Sequence, residues 1–179
     1  HYRDRRQRQM CIRDSYEDVE ILILGSLPGK KSIELKEYYG HPRNRMWKIL
    51  CTITNCDLPT DYASKKIFLQ KNKIGLWDVA NSAERKGSLD SNIKKETPND
   101  VDNLLINYPS INVIGFNGKK SESMYKKFFK LNRSIKYVSL PSSSPANMAI
   151  SFEDICLRWI ELFKCCLLYT SDAADDRDS

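Results

Sequence analysis

Two asparagines and a histidine stand among the neighbours best suited to chemistry. Asn44 lies in Tyr39-Gly40-His41-Pro42-Arg43-Asn44-Arg45-Met46-Trp47, and Asn117 in Gly115-Phe116-Asn117-Gly118. A side-chain amide carries an acceptor oxygen and two N–H donors, so it can orient a water or pair with the edge of a heterocycle. Each asparagine also has a plain structural use. Asn44 can cap a helix that begins at Arg45, and Asn117 before glycine suits a tight turn. His41 is the one histidine between residues 16 and 165. It could pass a proton near neutral pH, but His-Pro reads first as a rigid turn that aims Asn44.

These side chains need a frame, and the apolar runs supply one. Val19–Leu24 (VEILIL) has the length and continuity of a strand covered on both faces. It ends in Gly25-Ser26-Leu27-Pro28-Gly29, fifteen residues before Asn44. Lys73–Val79, Ile111–Phe116 and Ile135–Leu140 are three further strands. The last runs into Pro141-Ser142-Ser143-Ser144-Pro145-Ala146-Asn147, a serine loop pinned by two prolines. Helices are expected over Ser32–Tyr39, Arg45–Ile53, Asp61–Lys71 and Lys119–Lys130, and from near Ser151, with Ile155, Trp159 and Leu162 turned inward. Tyr62, Ile67 and Phe68 form the expected stripe of the third helix. Thr97-Pro98 should open another helix, with Thr97 as its cap and Val101, Leu104, Leu105 and Tyr108 buried. The polar stretch Ala80–Glu96 reads as a long, functional loop.

Alternating strands and helices define the fold class as α/β: a three-layer α/β/α sandwich around a mainly parallel four-stranded sheet. Such sheets bind ligands at the carboxyl ends of their strands, where the glycine-proline and serine-proline loops fall. One cleft is therefore expected, with Asn44 and the loop around Ser143 facing the same hollow.

Residues 16–165 are expected to form one domain. The flanks 1–15 and 166–179 read as non-native tails, because Arg5–Ser15 and Cys166–Asp176 resemble translated sequencing-library adapter. Between them lie 23 basic and 17 acidic residues, so the formal charge of +6 belongs to the domain. That surplus suits a polyanion but equally suits a solvated lysine-rich surface. Arg85, Lys119 and Lys120 could extend a basic face. Cys51, Cys56, Cys156 and Cys165 show no metal-ligand spacing and read as reduced thiols, so no metal and no cofactor is expected. No run of 18 apolar residues is present, and no membrane partner is expected.

The three loop motifs, in this order and spacing, resemble the uracil-DNA glycosylase superfamily, and most nearly its hypoxanthine-DNA (deoxyinosine) glycosylase branch. The likeness extends through Trp77-Asp78 and Gly87-Ser88-Leu89-Asp90-Ser91. The mismatch-specific uracil branch carries a catalytic Asn where this chain has Leu27, a residue that cannot orient water. The resemblance moves that role to Asn44, its amide oxygen holding the water and its NH₂ anchored elsewhere, and leaves Leu27 to line the base pocket. It makes Tyr39 a stacking platform, since the mismatch branch has a Phe there.

The implied activity is monofunctional excision of a flipped, deaminated base, hypoxanthine before uracil or a mismatched base. Lys30 and Lys31 read as phosphate-contacting or solvated rather than as Schiff-base nucleophiles. Asn117 can pair with the base. Ser26, Ser32, Ser142, Ser143 and Ser144 can hold DNA phosphates. The implied protein is a cytoplasmic monomer whose partner is DNA containing a deaminated base. The residues alone also permit a nucleotide-binding α/β domain, because helix N-termini take up anions, or a non-catalytic DNA-binding module.

Overall fold

A computed structural model describes residues 18–85 and 93–164 of the chain. The tails, Cys165 and the Gly87–Ser91 motif lie outside those residues. In chain order the elements are β1 (Ile21–Gly25), α1 (Lys30–Leu35), α2 (Met46–Ile53), α3 (Tyr62–Lys71), β2 (Ile74–Asp78), β3 (Ala80–Arg85), β4 (Ile93–Pro98), α4 (Val101–Asn107), β5 (Val113–Asn117), α5 (Lys119–Phe128), β6 (Lys136–Leu140) and α6 (Phe152–Trp159).

The four apolar runs pair as one fully parallel sheet in the order β2-β1-β5-β6. All five residues of β1 are buried, as a central strand of such a sheet requires. Period-two alternation sends Ile21 and Ile23 to one face, with Met46, Ile49 and Leu50 of α2, Phe68 and Leu69 of α3, and Ile155 and Trp159 of α6. It sends Leu22 and Leu24 to the other, with Val101 and Leu104 of α4 and Met124 and Tyr125 of α5. Helices thus cover both faces in three layers. Each large side chain buried this way contributes roughly 1.5–3 kcal/mol.

Three local expectations are corrected. The stretch Ala80–Glu96 is not a plain loop, because β3 and β4 pair as an antiparallel ribbon apart from the main sheet. Its sequence, ANSAER and IKKETP, is mostly polar, so no apolar alternation announces it. Thr97 and Pro98 belong to that ribbon, opposite Ser82 and Ala80. Helix α4 therefore starts later, capped by the Asp100 carboxylate, which accepts from the Asn103 N–H. On α3, Ile67 is 65% exposed and Leu69 points inward instead. Both are apolar, so composition does not set the helix's rotation; the packing does.

Helix α1 is also shorter than expected. It stops at Leu35, with Lys36 in the left-handed region at φ 55°. Tyr39 likewise has φ 53°. The chain therefore reverses sharply between α1 and α2 instead of carrying Tyr39 on a helix. The caps Asp61 and Ser151 each accept an N–H three residues on, from Ser64 and Asp154.

Candidate active site

Strand β1 lies between β2 and β5, and the chain winds outward from it in both directions. This is the switch point of an open α/β sheet, where the loops at the carboxyl edge part to make a crevice. Three residues form one row along that edge. Gly25 is opposite Asp78, and Leu24 opposite Phe116 sets Gly25 beside Asn117. Ile23, Leu76 and Val113 face α2 and α6, so alternation turns Asp78, Gly25 and Asn117 toward that same layer.

Asn117 and Asn44 meet on this face through the serine loop. Asn117 accepts the Ser143 N–H at 2.8 Å and donates through Nδ2 to Ser143 Oγ at 3.0 Å. Ser143 Oγ passes its own hydrogen to Asn44 Oδ1 at 3.0 Å. The same Oδ1 accepts the Met46 N–H at 2.9 Å, and the Arg45 N–H donates to the Ser143 carbonyl at 3.0 Å. A backbone N–H only donates, so Asn44's oxygen must face the start of α2 and its NH₂ must point away.

That orientation corrects the expectation for Asn44. Its oxygen already accepts from the Ser143 hydroxyl and the Met46 N–H, so both acceptor directions are used and the Nδ2 hydrogens are what it has left to offer a ligand. Asn44 and the loop are in direct contact, which leaves no room for a substrate between them. Ser143 is 0% exposed, which removes it from phosphate binding and makes it the link between two amides. Asn117 keeps one N–H and one lone pair beyond its bonds to Ser143.

The serine loop is held from several sides. The Arg45 guanidinium donates to the carbonyls of Asn147 at 2.7 Å and Ile150 at 3.0 Å. Trp159 donates to the Pro141 carbonyl and Asn147 to the Ser142 carbonyl, both at 2.9 Å. Ser142 and Ser144 each accept the N–H two residues on, so both hydroxyls serve the turn. Ser142 also packs close over Gly118, its Cβ 3.1 Å from where a side chain there would begin, and Gly118 has a φ of 95° that favours glycine.

The other expected site residues divide between turn and pocket. His41 accepts the Arg43 N–H at Nδ1, and its carbonyl accepts the Asn44 N–H at 2.9 Å, so it shapes the turn that presents Asn44. Ser32 is buried and accepts the Gly40 N–H, which binds it to the same turn instead of exposing it to phosphate. Ser26 is buried, and its carbonyl accepts the Ala80 N–H. Leu27 packs with the cluster on the α4–α5 side, away from Asn44. Tyr39 is half-buried against the α2–α6 cluster, with its hydroxyl 3.1 Å from where a Cβ on Gly25 would lie.

Asp78 was not singled out as a site residue, yet it is the only buried charged residue among the described ones. An acidic residue closing an apolar strand was the available signal. Arg45 was missed too, because an arginine after Asn44 reads as ordinary helix surface.

Among the described residues, no group of His, Cys, Asp and Glu could hold a metal ion. Burial pushes the thiols of Cys51 and Cys156 up, away from the reactive thiolate. Lys120 is not a free basic contact. It pairs with Glu96 at 2.6 Å, Lys127 reaches the other oxygen at 3.1 Å, and Glu96 falls to about 2, chiefly through Lys120. No helix among the described residues is long and apolar enough to cross a membrane.

A parallel sheet with an amide-serine corner at its switch point defines an α/β protein built to hold a polar ligand at the carboxyl edge. The model of the uracil DNA glycosylase superfamily matches residues 14–162, and the chain belongs to that family. A hypoxanthine DNA glycosylase from Methanosarcina barkeri is 41% identical over 151 residues, covering 83% of this chain and 92% of the relative. One from Methanosarcina acetivorans is 41% identical over 138 residues, covering 75% and 85%. A solution NMR structure of a Methanosarcina acetivorans protein, provisionally described as a uracil DNA glycosylase, superposes with a TM-score of 0.67. It is 35% identical and covers 82% of this chain and 92% of its own.

Proposed function

We propose that this chain is a monofunctional DNA glycosylase that excises hypoxanthine from DNA, acting as a cytoplasmic monomer of one domain over residues 16–165. The observation that carries the reading is the corner made by Asn44, Ser143 and Asn117 at the switch point. It anchors the Asn44 oxygen and leaves its N–H donors for a ligand, which supports the reading in a family whose curated relatives bear that activity in their names.

A base in a duplex must swing out of the stack to be reached. The C1′–N9 bond then breaks with its electron pair leaving on the purine, water bonds C1′ as the sugar passes through an oxocarbenium-like state, and the water's proton ends on the departing base. The Asn44 Nδ2 hydrogens can donate to the negative charge that develops on the departing base in this step. A donor placed before the reaction costs no reorganisation. Tyr39 offers its ring to the base, and base–aromatic stacking contributes about 1–3 kcal/mol.

Met148 is 82% exposed on the loop that Arg45 clamps. It takes the part of the apolar wedge that fills the vacated position in the stack. Met148→Ala should slow excision from duplex more than from single strand; equal slowing would remove it from that role.

The deciding experiment is an alkali-cleavage assay on oligonucleotides carrying one hypoxanthine, uracil, xanthine or thymine mismatch. Release of hypoxanthine ahead of the others is expected. Preference for uracil would instead follow the description of the NMR neighbour. No release of any base, with DNA still bound, would leave a binding module.

A further inference from the structure

Arg45 follows Asn44 directly, and its main chain and side chain hold different things. Its N–H donates to the Ser143 carbonyl at 3.0 Å, beside the bond from Ser143 Oγ to Asn44. Its Nη2 donates to the Asn147 carbonyl at 2.7 Å and its Nη1 to the Ile150 carbonyl at 3.0 Å. Only Met148 and Ala149 stand between those two residues, and both are exposed. One guanidinium therefore ties the two feet of a turn whose tip carries Met148. Other contacts fix each foot separately. The Asn147 N–H donates to the Ser144 carbonyl at 3.0 Å and its side-chain amide to the Ser142 carbonyl at 2.9 Å. Ile150 packs against the cluster on the α2–α6 side. The guanidinium is what fixes one foot relative to the other.

The chemistry of this clamp is particular to arginine. A guanidinium is planar and points its donors in fixed directions, so two carbonyls bound to it cannot move independently. A lysine ammonium is a point charge on a flexible stem and imposes no such spacing. Hydrogen bonds from a charged donor are also shorter and stronger than neutral ones. A side chain that enters a base stack works against the stacking it disrupts. If its backbone must be ordered at the same moment, the lost conformational entropy adds to that barrier. A tip fixed beforehand, by the residue next to Asn44, avoids the ordering step and keeps the inserted side chain in register with the amide.

We propose that Arg45 is a positioning residue for base extrusion: its guanidinium holds Met148 at a fixed offset from the Asn44 amide, so that the nucleotide which the methionine displaces is delivered to the Asn44 N–H donors. Arg45 acts through Met148 and not on the reacting atoms. The inference rests on the glycosylase reading and on the wedge role given to Met148, and it deepens both.

The test measures single-turnover excision of hypoxanthine from duplex and from single strand by the wild-type chain, Arg45→Lys, Met148→Ala and the double variant, with a thermal melt of each. Arg45→Lys keeps the charge, so general attraction to phosphate is retained. Both substrates meet the same folded molecules, so the ratio of duplex to single-strand rate is unmoved by any loss of folded protein. Arg45→Lys should lower that ratio about tenfold, as should Met148→Ala, and the double variant should lower it no further than the larger single effect. Stopped-flow fluorescence of a 2-aminopurine beside the lesion should show slower extrusion by Arg45→Lys. An Arg45→Lys protein that keeps the wild-type ratio would overturn the proposal and leave Arg45 a packing residue. Effects of Arg45→Lys and Met148→Ala that multiply would overturn it too, since the two side chains would then act independently. A Met148→Ala ratio equal to the wild type's would remove the wedge role and this inference together, with the glycosylase reading intact. A wild type inactive on hypoxanthine and uracil alike would instead overturn the glycosylase reading itself.

Discussion

The corner at Asn44 and the β3–β4 ribbon are both polar, yet they are held by different forces. The corner uses neutral hydrogen bonds closed on one another, with Ser143 fully buried between two amides. The ribbon uses charge, Glu96 between Lys120 and Lys127 on α5. Buried neutral bonds are short-ranged and leave a large penalty when one member is lost, which fixes geometry. Ion pairs near the surface hold two elements together loosely and weaken with salt. The part of the molecule that must aim an amide is built the first way. The ribbon, which stands apart from the main sheet, is joined to α5 the second way.

Removing the aimed group is the hardest test of that contrast. Asn44→Ala should cut excision by about 10²–10³, the usual loss for a preorganised donor, while a gel-shift titration shows DNA binding within a few-fold. Excision at the wild-type rate would take Asn44 out of the chemistry. Ser143→Ala attacks the support instead. It strips Asn44 Oδ1 of one donor and Asn117 Nδ2 of its acceptor in a dry site, so stability should fall by ~1–3 kcal/mol in urea melts. The single-turnover rate should fall too, by less than for Asn44→Ala. A stable Ser143→Ala protein would mean that the corner closes without its hydroxyl.

The smallest effect belongs to the ribbon. Glu96→Gln should cost roughly 1 kcal/mol near neutral pH and leave the single-turnover rate unchanged. Because folding lowers the Glu96 carboxyl from 4.5 to about 2, its contribution is complete above about pH 4.5. It is lost as pH falls through about 2, where protonation breaks the pair in the folded state as well. The stability gap between wild type and Glu96→Gln should therefore close over that window, and also in high salt. A gap independent of both would show that the ribbon is held by something other than charge.

The legible parts of this protein are those that local chemistry decides. Four apolar runs bounded by glycine, proline and serine described the sheet, and Asp61 and Ser151 marked helix starts, because a strand's burial and a cap's hydrogen bond are satisfied within a few residues. The ribbon stayed hidden because the sequences of its strands, ANSAER and IKKETP, carry no apolar alternation. Thr97-Pro98 misled because pairing with Ser82 and Ala80 competes with capping, and the partners lie on the other strand.

At the site the division is the same. The residue types and their order, an asparagine after His-Pro and serines between prolines, were properties of the chain alone, as was the family they resemble. The Met46 N–H, two residues on, sets which way the Asn44 amide turns, but what joins that amide to Asn117 was decided by a hydroxyl 99 residues away, and which carboxylate stands beside Gly25 by the register of β1 against β2. Amino-acid chemistry sets what each group can donate or accept; only the packed chain brings distant groups within the roughly 3 Å at which a hydrogen bond chooses its direction.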